Sequence, residues 1–351
     1  MTINLMEGLA LTGALVLVGV LVQGLWRSRR ARPRQAEGAE GGRVEPSMAL
    51  AAVSEATSDE VEPVSARPPD LRPAVLRKTA RLDPVIDAIA GLRLDIPISA
   101  ELALAHLPTT RRVGTKPFMI EGFNADTSSW EFPVAGQRYL ELQAGVQLAN
   151  RGGALSQIEY SEFVQKVQDF ADSIGALADL PDMVEVVARA RELDVFAGAH
   201  DAQLSLSLRA NAVAWSVGYL QQSAQRHGFV PGVVPGRLVL PGAEDGSPPM
   251  LVLAFDAQAA LAEDPGQAAV RELQLTLDVP QTPESAEPYP AWHQVARLLA
   301  AEMDGSMIDD TGRPITLHAF AAIGEDLAAL YVALAARDFA AGSAAARRLF
   351  S

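Results

Sequence analysis

Histidine and aspartate are the residue types here that could carry acid–base or metal chemistry, and their spacing favours neither. The five histidines are scattered, with no HxxxH or HExxH spacing that would place two imidazoles on one helix face. Asp309 and Asp310 are adjacent carboxylates, but the surrounding SMIDDTGRP is typical of a tight turn. The chain also lacks the GxSxG, GxxxxGK(S/T) and GxGxxG signatures. We therefore predict no catalytic residue, no metal site, no cofactor and no small-molecule substrate.

Charge and cysteine content exclude further classes. The formal net charge is −14, whereas nucleic-acid binding depends largely on lysine and arginine neutralising phosphates, so we expect no nucleic-acid partner. The chain has no cysteine, which removes disulfides and thiolate nucleophiles and agrees with a reducing, cytoplasmic compartment.

The N-terminal residues have the pattern of a membrane anchor. Residues 8–26 carry no charge over 19 positions, which is long enough to cross the hydrocarbon core once the flanks are counted. A cleaved signal peptide is the alternative, but it needs positive charge before the apolar stretch. The positive-inside rule places residues 1–7 outside and the rest of the chain in the cytoplasm, with the arginines on anionic lipid headgroups. The residues predicted to flank the membrane are Trp26, Arg27, Arg29 and Arg30.

Residues 27–84 are predicted to form a basic juxtamembrane stretch and a disordered linker. They are rich in Ala, Glu, Pro, Gly and Ser, and the prolines break any helix. Their charge falls in blocks, because residues 37–62 hold seven acids and one arginine, whereas residues 67–81 hold five bases and one acid. A solvated tether is the favoured interpretation, and a binding role for the basic block stays open.

The folded part is predicted to be α+β and to contain the same unit twice, as two tandem domains of the split β-α-β type. Each copy reads β-α-β-β-β-α-(β)-α, which gives an antiparallel sheet with helices on one face. The tripeptide ELQ lies in the last of the three successive strands of each copy, at 141–143 and 272–274. Two unrelated α+β domains are the alternative. The predicted boundaries are 85–200 for the first domain, 201–340 for the second and 341–351 for a tail.

The strand MLVLAFD, at 250–256, is apolar at almost every position. Side chains alternate between the two faces of a strand, so they cannot all enter one core. Either the strand is buried on both faces, by contact with the first copy, or its outer side chains form an apolar groove for a ligand.

The anchor, the linker and residues 201–336 together resemble the ZipA family of membrane-anchored cell-division proteins. The segments that carry the resemblance are HGFVPG at 227–232, PPMLVLAFD at 248–256, LTLDVP at 275–280 and MDGSMIDDTGRPIT at 303–316. The resemblance implies an antiparallel sheet whose open face is a shallow hydrophobic cleft for the C-terminal peptide of the tubulin-like FtsZ. The peptide-binding residues that it implies are Val234, Leu253, Phe255, Gln274, Thr276, Gln203 and Ser205.

This chain departs from the family pattern on that face. The family usually has aliphatic side chains on the first strand, where this chain has Gln203 and Ser205. The aromatic expected near Thr276 is also missing, and we expect Phe255 to supply one from a neighbouring strand.

The resemblance implies a bacterial adaptor without enzyme activity, which crosses the cell inner membrane once and ties FtsZ filaments to it at the septum. A membrane-tethered scaffold for another protein is the alternative, and a membrane-tethered enzyme is the minor one. Residues 85–200 lie outside the resemblance. They are expected either to bind a second peptide, which would add avidity, or to pack as a structural partner.

Overall fold

The computed structural model describes residues 82–244 and 246–351, and this part of the chain is α+β, as the sequence predicts. The predicted membrane span 8–26, its flanking Trp26, Arg27, Arg29 and Arg30, and nearly all of the linker 27–84 lie outside the described residues. The strands are β1 Asp87–Ser99, β2 Arg112–Val113, β3 Lys116–Asn124, β4 Trp130–Glu131, β5 Arg138–Gln147, β6 Ala149–Asn150, β7 Gly153–Ala154, β8 Ala176–Asp179, β9 Gln203–Ala210, β10 Trp215–Ser216, β11 Val230–Pro231, β12 Arg237–Leu240, β13 Leu251–Ala254, β14 Ala269–Val270, β15 Glu272–Asp278 and β16 Gly305–Ile308. The helices are α1 Ala100–His106, α2 Gln157–Ile174, α3 Met183–His200, α4 Val217–Arg226, α5 Ala257–Ala260, α6 Pro288–Met303, α7 Leu317–Ala335 and α8 Ala344–Leu349.

The first sheet is antiparallel, with strand order β2-β3-β5-β1-β8 and β4 paired to β3. Its apolar side chains alternate, so that Leu92 of β1 and Leu142 of β5 lie opposite each other and are both buried. That face packs against α2 and α3 and forms what we call the first core. Helix α2 begins at a capping box formed by Ser156 and Glu159, and ends at Gly175, whose φ of 70° stops the helix.

The second sheet is also antiparallel, with strand order β11-β12-β13-β15-β9-β16. Four leucines align across it, Leu238, Leu253, Leu275 and Leu206, and none is more than 2% exposed. They pack against α4, α6 and α7 in what we call the second core. The helices therefore cover one face of this sheet and leave the opposite face for other contacts.

Two tryptophans fix the helices of the second core to its strands. Trp292 of α6 is 2% exposed, and its indole Nε1 donates to the carbonyl of Leu275 at 3.1 Å. Trp215 donates from Nε1 to the carbonyl of Met303, at 2.6 Å, where α6 ends. Because both indoles satisfy their only donor inside the protein, these side chains serve the core.

The C-terminal residues 341–351 are packed into the protein, so the predicted tail is wrong. Helix α8 is capped by Ser343, and the apolar Leu349 and Phe350 at its end are fully buried in the first core. Arg348 forms a bidentate ion pair with the buried Asp87 of β1, in which its two terminal nitrogens lie 2.5 and 2.8 Å from the carboxylate oxygens. Residues 344–350 thus close the core that is formed mainly by residues 86–197.

Helix α7 contains the stretch His318–Ala335, which among the described residues is the one long and apolar enough to cross a membrane. Core helices meet the same criterion of length and composition. Phe320, Leu327 and Tyr331 pack in the second core, and Leu334 packs in the first. In this structure α7 therefore serves as a packing element that touches both cores.

Candidate functional site

The open face of the second sheet, opposite its helices, is the candidate site. The register places Val239, Val252, Thr276 and Ser205 in one row across β12, β13, β15 and β9. The next row contains Arg237, Ala254, Gln274 and Ser207. All eight side chains are half-buried or exposed. The face is therefore apolar towards β12 and β13 and polar towards β15 and β9.

A groove of about 470 Å³ lies at the apolar end of this face. Val233 at its edge is fully exposed and Val234 is 50% exposed, although burial of such side chains is favourable. Among the described residues that line the groove, the charged ones are Arg237 and Glu244, both exposed at its rim. The apolar residues that line the groove are Pro231, Val233, Val234, Val239, Pro241, Pro249 and Val252.

The segment HGFVPG builds one wall of this groove. Gly228 has a φ of 84°, a left-handed conformation that ends α4 and turns the chain. Phe229 follows and is 1% exposed in the second core, which anchors the segment. His227 lies 3.1 Å from Glu302 of α6, which also pairs with Arg226 at 2.6 Å. The polar and aromatic residues of the motif are thus structural, and they direct β11 along the groove.

A tight turn at Val234-Pro235-Gly236-Arg237 forms the other wall. The amide of Arg237 donates to the carbonyl of Val234 at 3.1 Å, and Gly236 has a φ of 78°. Proline second and a left-handed glycine third are the pattern of a type II turn. The carbonyl of Gly236 accepts from the amide of Phe255 at 2.8 Å, which ties the turn to the end of β13. The turn therefore holds Val233 and Val234 at the mouth of the groove.

Replacing Gly236 with alanine is expected to destabilise this turn by about 1–3 kcal/mol, because a left-handed φ is strained for a residue with a Cβ. That Cβ would also stand 2.6 Å from the carbonyl oxygen of Phe255. Urea denaturation measures the loss. The control is Gly198→Ala in α3, where a Cβ meets nothing within 4 Å and the residue has no left-handed φ. Equal stability of the two variants would contradict the prediction.

Five of the seven side chains predicted to bind the peptide lie on the open face or at its edge. Val234 lines the groove, and Gln274, Thr276 and Ser205 lie on the polar part of the face. Gln203 lies at the far end, where its amide oxygen, turned towards Arg151, accepts from the guanidinium at 3.0 Å. Arg151 reaches it from the β6–β7 hairpin while also pairing with Asp278 at 2.7 Å. The side chain of Gln203 is thus already hydrogen-bonded within the protein.

Leu253 and Phe255 are on the other side of the sheet, so their predicted place in the cleft is wrong. Leu253 is 1% exposed, and Phe255 is half-buried against the same second core. Residues 251, 253 and 255 share one direction because side chains alternate along a strand. The aromatic expected from Phe255 is therefore absent from the open face.

The residues that sequence reasoning missed are Val252 and Ala254, the outward pair of β13, together with Val233 and Val239. The sequence MLVLAFD does not show which of its side chains face outward, since it is apolar at almost every position. The neighbouring ELQLTLD does, because leucines alternate there with Gln274 and Thr276. Pairing Val252 with Thr276 then turns Val252 outward.

Polar clusters elsewhere in the described residues act as structural groups. Asp309 accepts hydrogen bonds from Thr311 and Arg313, and the bond from the Thr311 hydroxyl contributes most to lowering its pKa. This is the turn that the sequence predicts. No group of three or more His, Asp or Glu side chains in the part of the chain that the structure describes is placed to hold a metal ion.

No protein-family model matches the chain, and no curated protein is significantly similar to it.

Proposed function

We propose that the chain is a membrane-anchored cell-division adaptor, which binds the C-terminal peptide of FtsZ in the groove of the second sheet. The observation that supports this most is the apolar groove beside β12 and β13, on the face that the helices leave open. The resemblance to the ZipA family implies a peptide cleft on this face. In this proposal residues 8–26 form the anchor, the arginines after Trp26 contact anionic lipid, and the linker gives the binding face its reach.

The chemistry of the groove suits a short apolar peptide. Its volume of about 470 Å³ is that of a small binding site, and valine and proline side chains form its walls. A peptide that covers Val233 and Val234 would remove two exposed apolar side chains from water. Arg237 at the rim offers a cation to an acidic group of the peptide. Affinity in this arrangement comes mainly from apolar burial and depends weakly on salt.

We also propose that the two sheets are diverged copies of one unit, arranged as tandem split β-α-β domains. Supporting this, the four strands β3-β5-β1-β8 of the first sheet have the same order and direction as β13-β15-β9-β16 of the second. In chain order, a helix comes after the first strand of each set, β1 or β9. A longer helix precedes the last strand, β8 or β16, and a further helix comes after it.

A membrane-tethered scaffold for a different protein is the second candidate. It is favoured by the polar part of the open face, where Gln274 and Ser205 would leave a fully apolar peptide in contact with polar groups. In that case the groove would still bind an apolar anchor, but of another partner.

Binding of the full chain in detergent micelles to FtsZ, with and without the C-terminal peptide of FtsZ, tests the proposal. We expect binding to intact FtsZ and at least about a tenfold loss without the peptide, equivalent to about 1.4 kcal/mol. Raising the salt concentration is expected to change the affinity little. Binding that is indifferent to the peptide, or that falls steeply with salt, would overturn the proposal, and absence of binding to FtsZ would favour the second candidate.

A further inference from the structure

The first sheet also has a face that its helices leave uncovered, except at the corner formed by Asp87 and Gln147, where Arg348 of α8 bonds to both. The rest of that face is apolar and acidic. Ile89, Met119 and Phe123 lie half-buried on it, and Phe123 makes an edge-on contact with Trp130, with ring centroids 5.5 Å apart. Leu177 at the β8 edge is 64% exposed. The register places four acids on this face, namely Asp87, which is paired with Arg348, and Glu121, Glu141 and Asp179.

Glu121 is only 2% exposed although it points away from the helices. A buried carboxylate needs hydrogen-bond donors, and the side chain of Gln143 and the amide of Leu82 both donate to it, at 3.1 and 3.3 Å. Leu82 is the first residue of the described chain. Leu82, where the described chain begins, therefore contributes to the cover over Glu121.

Leu82 occupies a notch that Gly145 provides in the middle strand of this face. A Cβ at position 145 would stand 2.2 Å from the Cδ2 atom of Leu82, which means that the two residues are in direct contact. The row of Met119, Gly145 and Ile89 across three strands leaves a gap only at the glycine. The chain thus enters the fold by crossing the open face of the first sheet, with a leucine seated between apolar neighbours.

The segment before Leu82 matches this face in charge. Residues 67–81 hold five bases and one acid, whereas the face offers Glu121, Glu141 and Asp179 beside Arg93 and the paired Asp87 and Arg348. The segment also contains Leu71, Val75 and Leu76, which suit the apolar side chains around Phe123. Strands are about 4.8 Å apart, so a few extended residues suffice to cross from Gly145 to either edge of the sheet.

We propose that residues 67–81 dock on the open face of the first sheet of the same chain, with Leu82 in the Gly145 notch as the fixed end. This assigns the basic end of the linker as the occupant of that face. The first sheet is then filled by its own chain, while the second sheet stays available to a partner. The inference does not depend on what the second sheet binds.

Trypsin cleavage of the full chain in detergent micelles tests this, because proteolysis follows the population of the undocked segment. Arg77, Lys78 and Arg81 lie in the proposed docked segment, and Arg43 lies in the acidic part of the linker as an internal reference. Each rate is divided by the rate at the same bond in a synthetic peptide. We expect cleavage after Arg77 and Lys78 to be at least about tenfold slower than after Arg43.

Gly145→Ala is expected to displace Leu82 and to bring the normalised rates at Arg77 and Lys78 within about threefold of the rate at Arg43. The matched control is Gly91→Ala on the same face, where the nearest atom to the new Cβ is 3.9 Å away. A second variant, Glu141→Gln with Asp179→Asn, removes charge from exposed positions and keeps the fold. Its control is Glu325→Gln with Asp326→Asn on α7, and only the first pair is expected to raise cleavage.

Equal normalised rates at Arg43 and Arg77 in the unmodified chain would overturn the inference. So would protection that falls on dilution, because a second copy of the chain would then be the occupant. Unchanged protection in both the Gly145→Ala and the charge variants would place the segment elsewhere on the protein.

Discussion

Replacing Arg348 with alanine is expected to lower the free energy of unfolding by about 3–5 kcal/mol at neutral pH, because removing one partner of a buried ion pair leaves an uncompensated charge. The carboxylate of Asp87 is fully buried, and the two nitrogens of Arg348 lie 2.5 and 2.8 Å from its oxygens. Among residues 82–244 and 246–351, the only other donor within hydrogen-bond distance of this carboxylate is the amide of Asp83, at 2.9 Å. Once the guanidinium is gone, that bond alone stabilises the charge.

The size of this effect is expected to depend on pH in a defined direction. Burial raises the pKa of Asp87, and the hydrogen bond from Arg348 opposes that rise. A carboxyl with a raised pKa binds its proton more tightly in the folded state, so it favours folding below its ordinary pKa, and this contribution is lost as the pH rises through the raised value. Without Arg348 the pKa rises further. The penalty of Arg348→Ala should therefore be greatest near neutral pH and shrink towards acid pH.

Urea denaturation near pH 7 and near pH 3.5 measures both effects, since the ordinary carboxyl pKa lies at about 3.9. The double variant Asp87→Asn with Arg348→Ala should recover much of the loss at neutral pH, because no charge is then buried. The control is Arg337→Ala, whose pair with Glu192 is exposed at 3.3 Å and is worth at most about 1 kcal/mol. A penalty that stays the same at both pH values would show that Asp87 is not its cause.

The closure of the first core by the end of the chain could not be predicted from sequence. Residues 341–351 are short and rich in alanine and arginine, which alone suits a solvated tail. Their burial depends on contacts made more than 200 residues away, such as Gln147 donating to the carbonyl of Arg348. Local pattern carries no record of such partners.

The α+β class was predictable for the described residues because both sheets are built from alternating apolar side chains. β15 shows why, since Leu273, Leu275 and Leu277 are buried while Glu272 before them and Gln274 between them are exposed. β13 shows the limit of that reasoning. In a strand of four apolar residues, the sequence does not show which alternate side chains face the core. Only the register with β15 decides this.

The two open faces differ in whether a residue from another described segment lies on them. On the first sheet a leucine from the preceding chain sits against Gly145, and a carboxylate beside it is buried. On the second sheet Val233 and Val234 stay exposed beside a groove that no described segment fills. A leucine seated on one open face and a groove left open on the other suit the division of labour proposed above, with the linker on the first sheet and a partner on the second.

Two adjacent residues of β13 are expected to lose very different amounts of stability when each is replaced with alanine. Leu253→Ala removes a side chain that is 1% exposed in the second core, so it should cost about 2–5 kcal/mol of stability. Val252→Ala removes a half-buried side chain of the groove and should cost less than about 1 kcal/mol. Urea denaturation of both variants gives the comparison. A larger loss for Val252 would mean that the strand faces the other way.

Peptide affinity is also expected to distinguish Val252 from Leu253. Val252→Asp places a charge on the apolar wall of the groove and is expected to weaken binding of the FtsZ peptide by at least about tenfold, or 1.4 kcal/mol. Ser207→Asp is the matched control, because it adds the same charge to the same open face outside the groove lining. Leu253→Ala, where it remains folded, should leave peptide affinity unchanged. Equal affinity of Val252→Asp and Ser207→Asp would remove the groove from the binding site, whereas a selective loss at Val252 would locate the peptide between β12 and β13.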